Sequence, residues 1–303
     1  MKLRVGIRGT DEDIYSRTET ELIISQIKKN NKEAAFVKKI IGRLDKADNP
    51  EGLWAVDVAQ AISDGIIDIG IVSVKELMEI DNTYIWKKGV KLSAITKRRD
   101  ARIVLITKKH RNTNKISHRK NNNNNKETIL YTSSKDVEQK CQYIYADTRC
   151  IYEEGLTACI ERLTAGECDG VLAQADELRM YKYNHNKEFI YDYIPTDIYI
   201  PKTGTAMSAV LTAKKQELED IAGRVQDEMA AACIEMEGEV IHKLNSSGYI
   251  QEARAISSIE GNVFKIDACV YNHGRSLRMN RSGDIGDKDI IMQSLVSDML
   301  LRM

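Results

Sequence analysis

Ile66-Ile67-Asp68-Ile69-Gly70-Ile71-Val72 decides the fold. The run is apolar on both alternating faces apart from Asp68, so a strand built from it must be covered on both sides. Such strands belong to parallel sheets sandwiched by helices. Upstream, an amphipathic stretch over Val56–Asp64 predicts a helix that reaches the strand through Gly65. Helix, short joint and doubly apolar strand in succession argue for α/β organisation.

Working outward, Leu3–Ile7 reads as a first strand and residues 13–29 as a helix, with Ile14, Thr18, Leu22, Ile23 and Ile27 inward and Thr10 or Asp11 as its cap. Residues 33–41 read as a strand with a mixed inner face, and Val90–Ile95 and Arg102–Thr107 as two more. From Lys108 to Lys126 the composition changes: seven Lys or Arg, no acids and five consecutive asparagines. This stretch reads as a solvated insertion at a domain boundary, with a basic arm for an anionic partner as the alternative. No aromatic residue is interleaved there to stack on bases.

Beyond it, Ile129–Thr132 and Gly170–Ala173 read as strands flanking a helix at Leu156–Thr164. Tyrosine-rich Tyr181–Tyr199 returns the chain, and Thr212–Lys243 is expected to be largely helical. Ala253–Ile259 and Val263–Tyr271 alternate on either side of Glu260-Gly261-Asn262, a hairpin signal, with Arg275–Asn280 as a third strand. Asp287–Arg302 closes the sequence as an amphipathic helix with Ile290, Ile291, Leu295, Val296 and Leu300 inward.

The 303 residues suggest two domains or three small ones. The 45 basic and 45 acidic side chains cancel, which disfavours a general polyanion or nucleic-acid binder. No apolar run approaches a membrane span, and Met1–Gly6 lacks the layout of a signal peptide, so a cytoplasmic protein is expected. The first four of the six cysteines, Cys141, Cys150, Cys159 and Cys168, recur every nine residues, and no Cys-x-x-Cys or His-x-x-x-His pair exists. Buried, reduced cysteines and no metal site are expected.

Several segments, in order, resemble porphobilinogen deaminase, also called hydroxymethylbilane synthase. Arg4-Val5-Gly6-Ile7-Arg8-Gly9-Thr10 is similar to that family's opening R-I-G-T-R-x-S. Gly52-Leu53-Trp54 through Asp68-Ile69-Gly70-Ile71-Val72-Ser73-Val74-Lys75-Glu76 resembles G-L-F-x-K-E-L-E…A-D-I-A-V-H-S-x-K-D, with equal spacing. Ala94–Arg102 resembles A-I-x-x-R-x-D-P-R, Thr132-Ser133-Ser134 the start of T-S-S-L-R-R, Leu163–Ala173 the L-x-x-G-E-Y-D-A-I-I-L-A segment, and Ile200–Gly204 the start of L-P-x-x-G-Q-G.

The resemblance implies an α/β fold: two periplasmic-binding-protein-like α/β domains around a cleft, plus a small C-terminal α/β domain with an antiparallel sheet. It places the first domain at residues 1–107 and 197–213, the basic insertion at 108–126, the second domain at 127–196 and the third, cofactor-carrying domain at 214–303. It implies condensation of porphobilinogen units with release of ammonia, in tetrapyrrole (haem or corrinoid) biosynthesis, on a dipyrromethane cofactor held through a cysteine. The pyrroles carry acetate and propionate arms, so basic side chains must neutralise them, because unpaired buried carboxylates are costly. A carboxylate must also hold the pyrrole N–H groups and stabilise the cation left as ammonia departs. Carried over residue by residue, the substrate-binding set is Arg8, Thr10, Ser73, Lys75, Arg98, Arg102, Thr132, Ser133 and Ser134, and the catalytic aspartate position is Glu76.

Other positions depart from the pattern. Glu76 extends the carboxylate by one methylene, and misplacement of roughly an ångström can cost about 10²-fold. The family's lysine and histidine fall at Val56 and Val72, Thr132-Ser133-Ser134 is followed by Lys135-Asp136-Val137 where two arginines belong, and two more fall at Glu153 and Cys159. The cofactor cysteine of L-E-G-G-C-Q-V-P falls at Gly248, which cannot form a thioether, so covalent attachment is expected to be absent. The resulting expectation is a divergent family member with impaired or lost synthase activity and a retained cleft for a small carboxylate or pyrrole ligand, acting as a monomer without membrane or nucleic acid. Two alternatives stay open: an active synthase whose primer is held non-covalently, and a regulatory or scaffold protein using the basic insertion. Ordinary structural roles also stay open for three groups: Arg8 as the partner of an acid, Asp68 as a capping carboxylate, and Lys75-Glu76 as a helix start.

Overall fold

The structure is a computed structural model, and it describes residues 2–8, 14–31, 34–80, 89–109 and 128–303. The basic insertion beyond residue 109, Thr10 and the proposed cap at Thr10 or Asp11 lie outside the described residues. The chain forms two compact units, Met1–Arg99 with Lys202–Met303, and Asp100–Pro201.

In the first unit, β1 (Lys2–Arg8), β2 (Ala35–Ile41), β3 (Ile69–Ser73), β4 (Val90–Ile95) and β10 (Ser208–Ala213) form a sheet of order β2-β1-β3-β10-β4. β1 runs parallel to β2 and β3, and β10 runs antiparallel to β3 and β4. As the apolar run requires, β3 is covered twice. Ile69 and Ile71 face a core with Leu3, Val5 and α1 (Ile14–Asn30), while Val72 joins a second core with α2 (Trp54–Ser63). The strand begins three residues later than the apolar run. Asp68 precedes it and accepts from Arg4 N, Nε and Nη2 at 2.8, 3.0 and 2.7 Å. Asp68 is thus a structural carboxylate, and Arg4 holds its carboxyl below the ordinary value. At Gly70 a Cβ would lie 2.1 Å from Val58 Cγ1, so only glycine lets α2 lie directly on β3.

The second unit repeats this order. β5 (Ile103–Lys108), β6 (Thr128–Thr132), β7 (Thr148–Tyr152), β8 (Gly170–Gln174) and β9 (Phe189–Ile194) form a sheet of order β7-β6-β8-β5-β9. β6 is parallel to β7 and β8, and β5 is antiparallel to β8 and β9. β5 therefore belongs to the second sheet, not to a first domain ending at residue 107. The short helices α4 (Lys135–Lys140) and α6 (Ala175–Met180) follow β6 and β8, and α5 (Leu156–Ala165) follows β7. β7 and β9 were not separated from their polar or tyrosine-rich surroundings in the sequence, because edge strands with exposed faces show no clean apolar alternation.

The third sheet, β11 (Glu252–Glu260), β12 (Val263–Asn272) and β13 (Arg275–Asp284), is an antiparallel meander in the first unit. Its apolar face, with Ala255, Ile266, Ala268 and Val270, packs on α8 (Glu228–Asn245) and α9 (Lys288–Arg302). The buried stripe of α9 is Met292, Leu295, Val296 and Met299; Ile290 is 69% exposed, contrary to its expected inward position. The stretch expected to be helical from Thr212 starts instead inside β10, and α7 (Gln216–Gly223) packs on the first sheet through Leu218, Ile221 and Ala222. The third layer accordingly begins near Asp227, which caps α8 by accepting from Ala230 N at 2.8 Å, rather than at residue 214.

One buried ion pair joins this layer to the first sheet. Arg98 Nη2 lies 2.7 Å from Glu237 Oε2, and Glu237 Oε1 accepts from Ser257 N and Oγ at 2.6 and 2.9 Å. Glu237 is 0% exposed, and burial pushes its carboxyl upward against the pull of Arg98. Removing one member of such a pair leaves an uncompensated charge. Arg98→Ala is therefore expected to cost about 3–5 kcal/mol in urea unfolding. Arg98→Ala with Glu237→Gln should cost clearly less; equal losses would mean that the pair itself is not what matters.

Candidate functional site

In the first unit, the residues after β3 enter α3 (Val74–Glu79) directly. This start is held by Val74 N, which donates to Met207 O at 3.0 Å. Glu76, one turn in, reaches the N-terminus of α2, where its Oε2 accepts from Ala55 N at 3.1 Å. A helix N-terminus offers unpaired N–H groups and a positive dipole end, so a carboxylate is favoured there. The α2 start is itself fixed. Asn49 accepts from Leu53 N at 3.0 Å and donates to Leu53 O and Asp57 Oδ1, each at 2.9 Å. Trp54 Nε1 donates to Ile71 O at 3.0 Å.

Arg8 ends β1 and completes the group. Its Nη2 lies 3.9 Å from Glu76 Oε1, and its guanidinium carbon lies 5.0 Å from the Trp54 ring centroid. Strand end, helix start and helix N-terminus thus converge on one partly buried Arg–Glu–Trp cluster. The sequence reading named Arg8 and Glu76; it missed Trp54 as the stacking surface and the Ala55 N–H as a ligand of Glu76. The signal for both was the Gly52-Leu53-Trp54 segment, whose aromatic residue opens α2. Lys75 is half-buried beside Gly204, which has φ +79° and where a Cβ would stand 2.7 Å from Lys75 N. Glycine is needed there for the close approach. Ser73 is half-buried at the end of β3.

Within the first unit, Arg98 and two further positions of the pattern do not join this cluster. Arg98 is committed to Glu237, as described. Val56 and Val72, at the family's lysine and histidine positions, are 7% and 0% exposed, so they pack rather than bind. A pocket of about 270 Å³ is lined by Asp48, Asn49, Glu51, Val56, Glu79 and Ile80 among others; its three carboxylates make it unsuited to a carboxylate ligand. Gly248 has φ +73° in the exposed turn that ends α8, and a Cβ there would meet nothing within 4 Å. It is a helix-stopping glycine in the left-handed conformation.

In the second unit, Thr132 and Ser134 serve the backbone. Thr132 Oγ1 accepts from Ser134 N at 3.2 Å, and Ser134 Oγ accepts from Val137 N at 3.3 Å to cap α4. Ser133 Oγ instead donates to the Glu177 carboxylate at 3.3 and 3.4 Å. Glu153 pairs with Arg162 at 3.0 Å. Cys159 is buried, and burial, with Glu177 and Glu153 nearby, pushes its thiol up to about 12. Arg102 is paired to Asp100 at 2.6 Å and stacks 4.7 Å from the Tyr193 ring centroid. Among the described residues, no group of three or more His, Cys, Asp or Glu side chains is placed to hold a metal, and no helix is long and apolar enough to cross a membrane.

Burial raises the Glu76 carboxyl above its ordinary value, against the lowering influence of Arg8, the Ala55 N–H and Lys75; Glu79 adds to the rise. A carboxyl that holds its proton more tightly than usual suits a group that gives and takes protons. It also binds its proton more tightly in the folded chain, so its ionisation costs stability. That cost is complete above the folded value and vanishes below the unfolded one. Glu76→Gln keeps an acceptor for Ala55 N–H, and is expected to melt above the parent at neutral pH. The margin should shrink as pH falls and disappear below the unfolded carboxyl range in a thermal melt series; a pH-independent margin would contradict this account.

Residues 9–220 match the family described as porphobilinogen deaminase, dipyromethane cofactor binding domain. The chain is 24% identical to a porphobilinogen deaminase of Clostridioides difficile (strain 630), over 87% of this chain and 85% of that protein. It is 20% identical to that of Listeria monocytogenes serotype 4b (strain CLIP80459), over 98% and 96%. Among solved structures, an ancestral cationic amino acid solute binding protein is 15% identical with a TM-score of 0.46, covering 76% of this chain and 90% of that one. The family match spans most of the chain, including β3 and α3, and the protein belongs to the porphobilinogen deaminase family.

Proposed function

We propose that this chain is a divergent member of its family in which hydroxymethylbilane synthase activity is impaired or lost, while a site for a small carboxylate or pyrrole ligand is kept. The observation that carries the reading is Gly248. Primer attachment in the family needs a sulfur nucleophile, and the position that aligns with it is a glycine in an exposed helix-ending turn. The flanking cysteines do not substitute for it. Cys233 and Cys269 are 6% and 0% exposed, and burial raises both thiols above the ordinary value. The residues present therefore do not fit a covalently held dipyrromethane.

The substrate-charge argument points the same way. Arg98 and Arg102 are engaged by Glu237 and Asp100, and a carboxylate, Glu153, stands where the family pattern has an arginine. What is kept is Arg8 with its aromatic backing and the Glu76 carboxyl at a helix N-terminus, a pairing that suits one anionic arm and one N–H donor of a pyrrole.

Intact-mass measurement of the purified chain and incubation with porphobilinogen, followed by detection of uroporphyrin, test the proposal. The expected mass is that of the unmodified polypeptide, with no uroporphyrin formed. A mass increase of one dipyrromethane would overturn the attachment argument. Uroporphyrin without an adduct would instead favour an active enzyme with a non-covalent primer. Porphobilinogen binding, read by calorimetry, is expected to weaken about tenfold or more in Arg8→Ala, as loss of a charge-assisted contact of about 1.5–3 kcal/mol implies. Unchanged binding would remove Arg8 from the site.

A further inference from the structure

The nine-residue recurrence of cysteines falls entirely within the second unit, and none of the four is used by the site described above. A period of nine would point successive thiols to opposite faces of one helix, but the structure places them on different elements. Cys141 opens the single 3-10 turn Cys141–Tyr143 that follows α4, Cys150 is the central residue of β7, Cys159 lies in α5 and Cys168 in the turn leading to β8.

The chain doubles back between the first two. Ile144 N and Tyr145 N both donate to Cys141 O at 2.8 Å, and Thr148 Oγ1 donates to Tyr145 O at 3.0 Å. Thr148 Oγ1 also meets Cys141 Sγ at 3.5 Å, and two residues later Cys150 packs against the same apolar cluster that holds Cys141, Leu130 and Val137. Thr148 and Cys150 lie on one face of β7, so Cys150 enters this cluster from the same side as the residue that meets Cys141. The neighbouring thiol draws that of Cys141 below its ordinary value and raises that of Cys150. Cys159 and Cys168 sit in a different apolar cluster, on α5 and β8 elements. Exposure divides the pair: Cys141 is 2% exposed, whereas Cys150 is only half-buried and can be met from solvent.

We propose that Cys141 and Cys150 form a redox-sensitive dithiol that closes to an intramolecular disulfide when hydroperoxide is present. One sulfur, as thiolate, attacks a peroxide oxygen; the S–O bond forms, the O–O bond breaks, and the departing hydroxide takes up the thiol proton as water. The second sulfur then displaces hydroxide from the sulfenic acid, which leaves with the second thiol proton as water. Two thiols and one hydrogen peroxide thus become one disulfide and two waters. The burial of Cys141 in the cluster that Cys150 packs against favours ring closure over further oxidation, since the second sulfur is held nearby. The bond would pin the turn after α4 to the edge strand β7. It thereby ties the helix capped by Ser134 to the strand that leads into Glu153.

Peptide mapping of the native full chain after hydrogen peroxide treatment tests this. Trypsin releases Cys141–Arg149 and Cys150–Arg162 as adjacent peptides. The expected product is this pair joined through Cys141 and Cys150, lighter than their sum by two hydrogen atoms, reversed by dithiothreitol and retained in Cys159→Ser. Cys150→Ser should lose it. Three results would each overturn the proposal: Cys150 carried to a sulfinic acid with Cys141 still free, a linkage through Cys159, or all six thiols intact under peroxide that oxidises free cysteine. Fragmentation of the linked pair from the unsubstituted chain assigns the bond to Cys150 or Cys159, which share the second peptide, even if a variant fails to fold.

Discussion

The packing of α2 on β3 at Gly70 is the constraint on which the first unit depends. β3 is buried on both faces, and the absence of a side chain at Gly70 admits Val58 directly onto the strand. That contact fixes the height of α2 along the sheet, and so fixes where its N-terminus stands. Because α3 starts on the residue after β3, Glu76 meets the free N–H of Ala55, and because β1 is the parallel neighbour of β3, Arg8 ends at the same level. The cluster is therefore a consequence of parallel-strand geometry: strand ends and helix starts gather on one edge, and polar side chains can be placed there without breaking a core.

Charge in this protein is largely used internally. Arg4 holds Asp68, Arg98 holds Glu237, and Arg99 holds Glu19 and Ser208; in the second unit Arg102 holds Asp100 and Arg162 holds Glu153 and Glu167. A charge removed from water needs a partner, and a guanidinium with a nearby carboxylate within its own chain is a weaker lure for a ligand carboxylate. A motif match locates an arginine in sequence but is silent about its partner. This is why Arg98 and Arg8, both candidates by resemblance, have such different surroundings.

The legibility of the sequence followed the strength of local patterning. The doubly apolar run, the hairpin at Glu260-Gly261-Asn262 and the long helices stand where their periodicities put them, within a few residues. β7 and β9 were not legible, because half-exposed edge strands carry no distinctive period, and β10 was not, because a strand buried on both faces shows no alternation. The stripe of α9 was misread toward Ile290 and Leu300 because helix phase is set by what it packs on, and the ladder of β13 was not visible from α9 alone. At the site, Arg8 and Glu76 came from the resemblance. Trp54 and the Ala55 N–H did not, since a stacking surface and a backbone donor acquire a role only once another element is brought to them.

By itself the sequence determined the class of fold, the order of most elements and the family, since these follow from apolar periodicity, motif order and side-chain identity, all local in the chain. Only the tertiary structure decided which arginines face acids of their own chain, that β5 crosses into the second sheet, and that Cys141 and Cys150 share one apolar cluster. The physical reason is common to all three. Burial and pairing depend on residues distant in sequence, and the cost of removing a charge or a thiol from water is set by those neighbours rather than by the residue itself.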